Sequence, residues 1–179
     1  MVTRTRTALS SSHGFTLIEL VTTVSVISIL AALAVPALMR AKMSGNEVSA
    51  IGSLKAINAA EAAYSSTAAS GGYAILLSVL GATCPGSSQA FISAELAADP
   101  SMKSGYSMVL AAGSSGPGPT DCNGTPSHSG YYLTATPLNA ANGRRGFSTS
   151  NTQVIYFDVS GVPPAEAAMQ PGGGATPIQ

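Results

Sequence analysis

Charge is scarce in this sequence. Charged residues make up 9% of its 179 residues, and eight lysines and arginines are balanced by eight aspartates and glutamates. Without a basic excess the chain offers no positive face to a phosphate backbone, so direct nucleic-acid binding is not predicted. Together with a hydrophobic share of 45%, this low charge points away from a typical soluble enzyme and towards a chain partly solvated by lipid or by other subunits.

Motifs for catalysis and cofactor binding are also missing. The sequence has no Walker loop, no dinucleotide-binding glycine pattern and no paired-carboxylate cluster. Asp121, His128 and Ser129 stand in a turn-rich stretch, which is more often a solvated loop than a catalytic triad. The sequence therefore predicts neither a catalytic residue nor a metal or cofactor.

What the sequence does have is one apolar stretch of membrane-spanning length. From 15 to 39 the only charged residue is Glu19, and a helix of that length rises roughly 37 Å, enough to cross a hydrocarbon core of about 30 Å. Arg4 and Arg6 precede the stretch, so the positive-inside rule places the leader in the cytoplasm. The alternative is a cleaved secretory signal ending near "ALAVPA", but the acidic residue and the long apolar run count against it.

The apolar stretch opens with the run "GFTLIEL", residues 14–20. This run resembles the cleavage and methylation motif of type IV prepilins and type II secretion pseudopilins, and Pro36 stands where those families often carry a helix-loosening proline. The resemblance implies that prepilin peptidase removes a leader, 1–14, by cutting after Gly14, and methylates the new amino terminus on Phe15. It also implies an α+β pilin fold, in which a long amino-terminal helix packs on a small antiparallel sheet.

Glu19 raises a physical question, because an unpaired carboxylate in an apolar environment costs several kcal/mol. The resemblance implies an answer: cleavage leaves an ammonium on Phe15, and Glu19 of one subunit neutralises the amino terminus of its neighbour in a filament. That attraction must offset desolvation, so its clearest effect is on the register between subunits. The alternative places Glu19 at the level of the lipid headgroups, where terminal charges snorkel.

The helical pattern continues from the membrane-spanning half, 15–39, through an amphipathic half at 40–69. Pro36 has no amide proton, so a kink or a locally melted stretch is expected at 32–36. One face of the amphipathic half, apolar but interrupted by Glu47 and Glu61, is predicted to pack on the sheet. The opposite face is predicted to meet neighbouring helices in a fibre, because small residues let backbones approach closely; the alternative is an alanine-rich face that is simply exposed. Its members are Ala41, Gly45, Gly52, Ala56, Ala59 and Ala63.

Residues 70–162 are predicted to form a globular head. A helix is expected to begin near Ser87 or Ser88 and to stop at Pro100. The proline- and glycine-rich tail, 163–179, is predicted to be flexible. Strands separated by turns are predicted in the second part of the head, at 105–112, 130–137 and 152–161.

The two cysteines, Cys84 and Cys122, both lie in this head. An even count in an oxidising compartment favours a disulfide between them. A zinc site with His128 is the rival interpretation, but three ligands without a recognised spacing make a poor zinc site.

With the resemblance, these features predict a structural subunit of a bacterial type IV pilus or pilus-like filament, and not an enzyme. The implied life cycle is storage in the inner membrane with the head in the periplasm, then polymerisation into a homo-oligomer. The implied partners are membrane lipid, prepilin peptidase and the assembly platform with its ATPase. Two alternatives stay open. One is a major pseudopilin of type II secretion, although only Asp158 and Glu166 are available for the acidic calcium loop that those proteins often have; the other is a membrane-anchored exported enzyme or binding domain.

Overall fold

The computed structural model describes residues 14–178. Its first and longest element is the helix α1, Leu17–Thr67. The chain forms two compact units, Met1–Leu38 and Met39–Gln179, so α1 contributes its first part to one unit and the remainder to the other.

In the first unit, the described residues are the opening turns of α1. Every side chain from Leu17 to Leu38 is exposed. Among residues 14–178, α1 is the one helix that is long and apolar enough to cross a membrane. It continues without interruption through Pro36, so a locally melted stretch at 32–36 is not observed, and the kink there stays a prediction. The alanines and leucines around the proline favour helix strongly enough to continue it past one missing hydrogen bond.

The second unit combines the rest of α1 with a sheet. Strands β1, β2, β5, β6, β7 and β8 form one antiparallel sheet in that order, and β3 pairs with β4 in a separate ribbon. A long helix on an antiparallel sheet is the α+β arrangement predicted from the sequence, and it is consistent with the pilin fold. The bounds of the elements are α2 Leu77–Leu80, β1 Ser101–Lys103, β2 Tyr106–Ala112, β3 Pro117–Thr120, β4 Pro126–His128, β5 Tyr131–Pro137, β6 Gly146–Ser150, β7 Ile155–Asp158, a 3-10 helix Glu166–Met169, and β8 Thr176–Pro177.

The core of this unit lies between α1 and one face of the sheet. Strands β2 and β5 bury every second residue and meet in register at Leu110 and Leu133, which is the alternation of a sheet with one covered face. The α1 face predicted to pack on the sheet is indeed the buried one. Its buried members are Glu47, Ala50, Ser53, Leu54, Ile57, Asn58, Ala60, Glu61 and Tyr64.

The third predicted strand, 152–161, contains β7 but is too long, because it begins in the turn at 151–154 that joins β6 to β7 in a hairpin. Strand β6 was missed because its sequence, GFSTS, is mostly polar, yet all five residues are buried. A strand covered on both faces does not show the polar–apolar alternation by which strands are recognised. Short strands in turn-rich sequence, β1 and the β3–β4 ribbon, were missed as well.

The helix predicted from Ser87 or Ser88 to Pro100 is wrong. This segment consists of turns, bends and irregular chain, and two of its backbone amides bond outside the segment. The backbone amides of Phe91 and Ile92 both donate to the Leu80 carbonyl oxygen. A helix of this length is marginal on its own, so contacts with α2 decide the conformation.

The tail predicted to be flexible, 163–179, packs against the sheet over its described residues. Met169 is buried and accepts a 3.1 Å hydrogen bond at its sulfur from the Ser148 hydroxyl on β6. The Glu166 carboxylate accepts hydrogen bonds of 2.8 and 3.0 Å from the Ser114 amide. Composition predicted disorder, but one buried methionine and these hydrogen bonds hold the tail in place.

Candidate processing and assembly site

The first turn of α1 contains a hydrogen-bonded pair that the sequence reading missed. Thr16, just before the helix, donates to Glu19 Oε2 from its amide at 3.0 Å and from its hydroxyl at 2.6 Å. The Glu19 amide donates back to Thr16 Oγ1 at 3.2 Å. This reciprocal pattern is a capping box, whose sequence signature is threonine followed three residues later by glutamate. Glu19 therefore has a partner within its own chain.

The peptide bond predicted to be cleaved lies immediately before this cap. Gly14 and Phe15 precede the helix, Phe15 is 85% exposed, and a Cβ built on Gly14 would meet no atom within 4 Å. Within residues 14–178 no side chain packs on Gly14. The rest of the predicted leader, 1–13, lies outside the described residues.

The apolar part of α1 satisfies its own polar side chains. The Thr22 and Thr23 hydroxyls donate to the Ile18 and Glu19 carbonyl oxygens, each at 2.9 Å. Ser25 and Ser28 make the same bond four residues back, at 2.7 and 2.8 Å. Hydroxyls bonded in this way do not need water, which suits a helix surrounded by lipid or by other apolar helices.

The small-residue stripe of α1, defined as Ala41, Gly45, Gly52, Ala56, Ala59 and Ala63, is exposed throughout. A Cβ built on Gly45 or on Gly52 would meet nothing within 4 Å. Neither glycine is therefore required by packing within the chain, although each costs the helix about 1 kcal/mol relative to alanine.

Glu47 ties α1 to the loop before β6. Its carboxylate accepts hydrogen bonds from the Arg144 amide at 2.9 Å and from the Arg145 Nε at 2.8 Å, and its Oε2 lies 2.7 Å from Arg145 Nη2. Burial works to raise the pKa of Glu47, but the hydrogen bonds from Arg144 and Arg145 together prevail and hold the pKa below its usual value. The Arg145 guanidinium also lies over the rings of Phe147 and Phe157.

Glu61, the second acidic residue on the buried face, forms no ion pair with any residue in 14–178. Its Oε2 accepts a 2.9 Å hydrogen bond from the Ala74 amide, while its Oε1 is buried without a hydrogen-bond partner in the described structure. Burial raises the pKa of Glu61 to about 8, only partly opposed by the Ala74 hydrogen bond. The carboxyl group is therefore largely protonated near neutral pH.

Cys84 and Cys122 form a disulfide, as predicted, with Cα atoms 5.6 Å apart. The adjacent Asp121 carboxylate accepts hydrogen bonds from the Tyr64 hydroxyl on α1 and from the Asn123 and Thr125 amides. The disulfide loop is thereby fixed to the helix. The zinc alternative is wrong, because both sulfurs are committed to the disulfide.

Asp121 makes no hydrogen bond to His128, whose buried Nδ1 has no partner among the described residues. No group of three or more histidine, cysteine, aspartate or glutamate side chains within residues 14–178 is placed to hold a metal ion. The chemistry of the described site is thus that of an accessible peptide bond beside a capped apolar helix.

The fold and this site define a class: an α+β protein whose long helix begins with an exposed apolar segment that fits membrane anchoring. Residues 9–35 match the prokaryotic N-terminal methylation motif. The chain thus carries the prepilin signature of type IV pilins and pseudopilins, which indicates a structural subunit. Comparison with curated proteins and with solved structures finds no match.

Proposed function

We propose that this chain is the precursor of a structural subunit of a bacterial type IV pilus or a pilus-like filament. The observation that carries the proposal is the methylation-motif match at 9–35, at the start of an apolar helix with exposed side chains. An apolar surface of this length is stable only in lipid or against other apolar helices. A subunit that passes from membrane to filament uses both environments in turn.

In this proposal prepilin peptidase cuts between Gly14 and Phe15 and methylates the new amine. The open geometry at Gly14 supports the cut. Cleavage places an ammonium on Phe15, one helical turn from Glu19. The capping box with Thr16 holds the Glu19 carboxylate in the precursor, so the carboxylate is satisfied before any neighbour arrives.

During assembly the Glu19 carboxylate then pairs with the amino terminus of the adjacent subunit. Two opposite charges in an apolar filament core attract far more strongly than they do in water, but desolvation offsets much of the gain. The pair therefore fixes the register of the subunits more than it adds to their affinity. The small-residue stripe supplies a second contact, because its exposed glycines allow a neighbouring helix to approach closely.

The test is the amino terminus of the protein recovered from sheared cell-surface material, read by mass spectrometry of the leading peptide. A chain that begins at N-methylated Phe15 supports the proposal. A chain that begins near Leu38, after "ALAVPA", contradicts it and indicates ordinary secretion. Processed protein that stays with the cell envelope and never reaches the sheared fraction indicates the type II secretion pseudopilin alternative.

A further inference from the structure

Basic side chains gather at one end of the second unit. Of the six lysines and arginines among residues 14–178, four lie there: Arg40 and Lys42 on α1, and Arg144 and Arg145 in the loop before β6. We call these four residues the basic collar. Arg144 lines a groove with Arg40 and Glu47, so the two parts of the collar are adjacent.

Exposed apolar side chains lie beside the basic collar, on the loops that end β5 and β7. Val159 is 74% exposed, Val162 67% and Leu138 50%. Val159 and Val162 line one cleft with Arg144, so they belong to the same surface. We call these three residues the apolar tips.

Among the described residues, the collar brings four cations to this end, and two carboxylates, Glu47 and Asp158, lie near it. The Lys103–Glu95 ion pair on β1 adds no net charge. A surface with net positive charge and exposed valines matches the border of an anionic bilayer, where cations meet headgroup phosphates and apolar side chains enter the acyl boundary.

We propose that the basic collar and the apolar tips dock the head on anionic phospholipid headgroups of the membrane that holds α1. This inference rests on the proposed function, because it requires α1 to be anchored. Arg40 directly follows the apolar stretch 15–39, so it enters the headgroup layer when that stretch spans the bilayer. Docking would hold the head against the membrane until the subunit is extracted. It also explains why Arg40 and Lys42 stand on the periplasmic side of the membrane, where basic residues are normally depleted.

A single tryptophan tests the docking, because the natural sequence contains none. The full-length Val159→Trp precursor is inserted into nanodiscs of phosphatidylcholine alone, or of phosphatidylcholine with phosphatidylglycerol. Docking predicts a blue-shifted emission that is quenched by brominated acyl chains only when phosphatidylglycerol is present. Val154→Trp is the matched control, because Val154 lies in the β6–β7 turn, away from the collar. The neighbouring Gln153 carbonyl oxygen accepts a hydrogen bond from Asn58, which lies further along α1 than Arg40 and Lys42.

Charge reversal supplies the second comparison. Adding Lys42→Glu and Arg144→Glu to the Val159→Trp chain should abolish the quenching, whereas Lys55→Glu, an exposed lysine of α1 outside the collar, should leave it unchanged. Equal emission in the two lipid mixtures overturns the docking. A blue shift of the emission that persists after charge reversal and increases with the number of chains per nanodisc also overturns the docking. That result would mean that the surface contacts a second copy of the chain.

The same nanodiscs carry a separate readout of the proposed function, which is cleavage between Gly14 and Phe15 by added prepilin peptidase. Cleavage without lipid-dependent quenching refutes the docking and leaves the proposed function standing. Quenching without cleavage refutes the proposed processing and leaves the docking standing.

Discussion

The Glu47 carboxylate and the Arg145 guanidinium form a 2.7 Å ion pair that joins α1 to the sheet, with the Glu47 side chain only 10% exposed. The same carboxylate accepts the backbone amides of Arg144 and Arg145. Removing Glu47 leaves these two backbone amides and the half-exposed Arg145 guanidinium without their acceptor, which costs more than removing one member of an exposed pair.

Glu47→Ala should therefore destabilise the head by about 2 kcal/mol. Glu95→Ala is the control, because Glu95 also forms a short ion pair, 2.8 Å from Lys103 Nζ, but its side chain is 64% exposed. Loss of this exposed pair should cost less than about 1 kcal/mol. Thermal unfolding of the full chain in detergent micelles, followed by near-ultraviolet circular dichroism, measures both variants. Equal costs for the two variants would contradict the buried role of Glu47.

Glu61 should make the head less stable as the pH rises. Its folded-state pKa of about 8 lies above the usual glutamate value of 4.5, so the folded chain keeps a proton that the unfolded chain has lost. Between these values stability falls by up to about 1.4 kcal/mol per pH unit. The sign is opposite for Glu47, whose lowered pKa gives stability that is present above the unfolded value and is lost as the pH falls.

Glu61→Gln, which cannot ionise, should flatten the decline between pH 5 and pH 8 while leaving the acid limb that depends on Glu47. The unfolding midpoint of wild type and variant, measured across that range, gives the answer. Parallel curves for the two proteins would show that Glu61 titrates normally in the folded head.

The disulfide should contribute about 4 kcal/mol in the chain-entropy model, since Cys84 and Cys122 lie 38 residues apart in the chain. The double variant Cys84→Ser/Cys122→Ser should unfold at a lower denaturant concentration by the corresponding amount. Reductant should produce a similar loss in the wild type and none in the double variant, which is the control. A wild type insensitive to complete reduction would mean that the Asp121 contacts alone hold this loop.

The capping box gives a local prediction at the start of α1. Thr16→Ala removes the hydroxyl that bonds both Glu19 Oε2 and the Glu19 amide, at a cost of about 1 kcal/mol. Amides of the first helical turn should then exchange hydrogen about fivefold faster, whereas Thr16→Ser should exchange like the wild type. Exchange rates that do not differ among the three chains would mean that the cap does not order this turn.

The parts of the fold that were predictable are those encoded by local pattern. The run from Gly14 to Leu20 predicted the prepilin signature, and the spacing of apolar residues along α1 predicted its buried face. Cys84 and Cys122 were paired correctly from their number and expected compartment. Each of these inferences needed only residues that are close in sequence, or the number of cysteines in the chain.

What was not predictable depends on contacts between distant segments. The sequence of β6 is mostly polar, but β6 is an inner strand of the sheet and is covered by other parts of the chain. The composition of the tail is typical of disorder, but its residues bond Ser148 and Ser114. The segment ending at Pro100 was expected to be helical, yet the Leu80 carbonyl oxygen accepts the backbone amides of Phe91 and Ile92. The capping box of Thr16 and Glu19 is the exception, because its signature, threonine followed three residues later by glutamate, is local and is present in the sequence.

Assembly should depend on the small-residue stripe without the head depending on it. Gly45→Leu and Gly52→Leu each place a large side chain where the chain itself leaves open space, and the helix gains about 1 kcal/mol of propensity. Both variants should therefore fold normally but form few or no filaments, because the bulk holds neighbouring helices apart.

Ala62→Leu is the matched control for this prediction, since Ala62 is exposed on α1 but lies off the stripe, and its filaments should be normal. Electron microscopy of sheared material counts filaments, while unfolding midpoints in micelles confirm that each head is folded. Normal filaments from both glycine variants would show that the stripe is not part of the assembly interface. The stripe would then be an alanine-rich face that is simply exposed. Filament loss in all three variants would instead mean that assembly tolerates no added bulk on this part of α1, and the specificity assigned to Gly45 and Gly52 would be wrong.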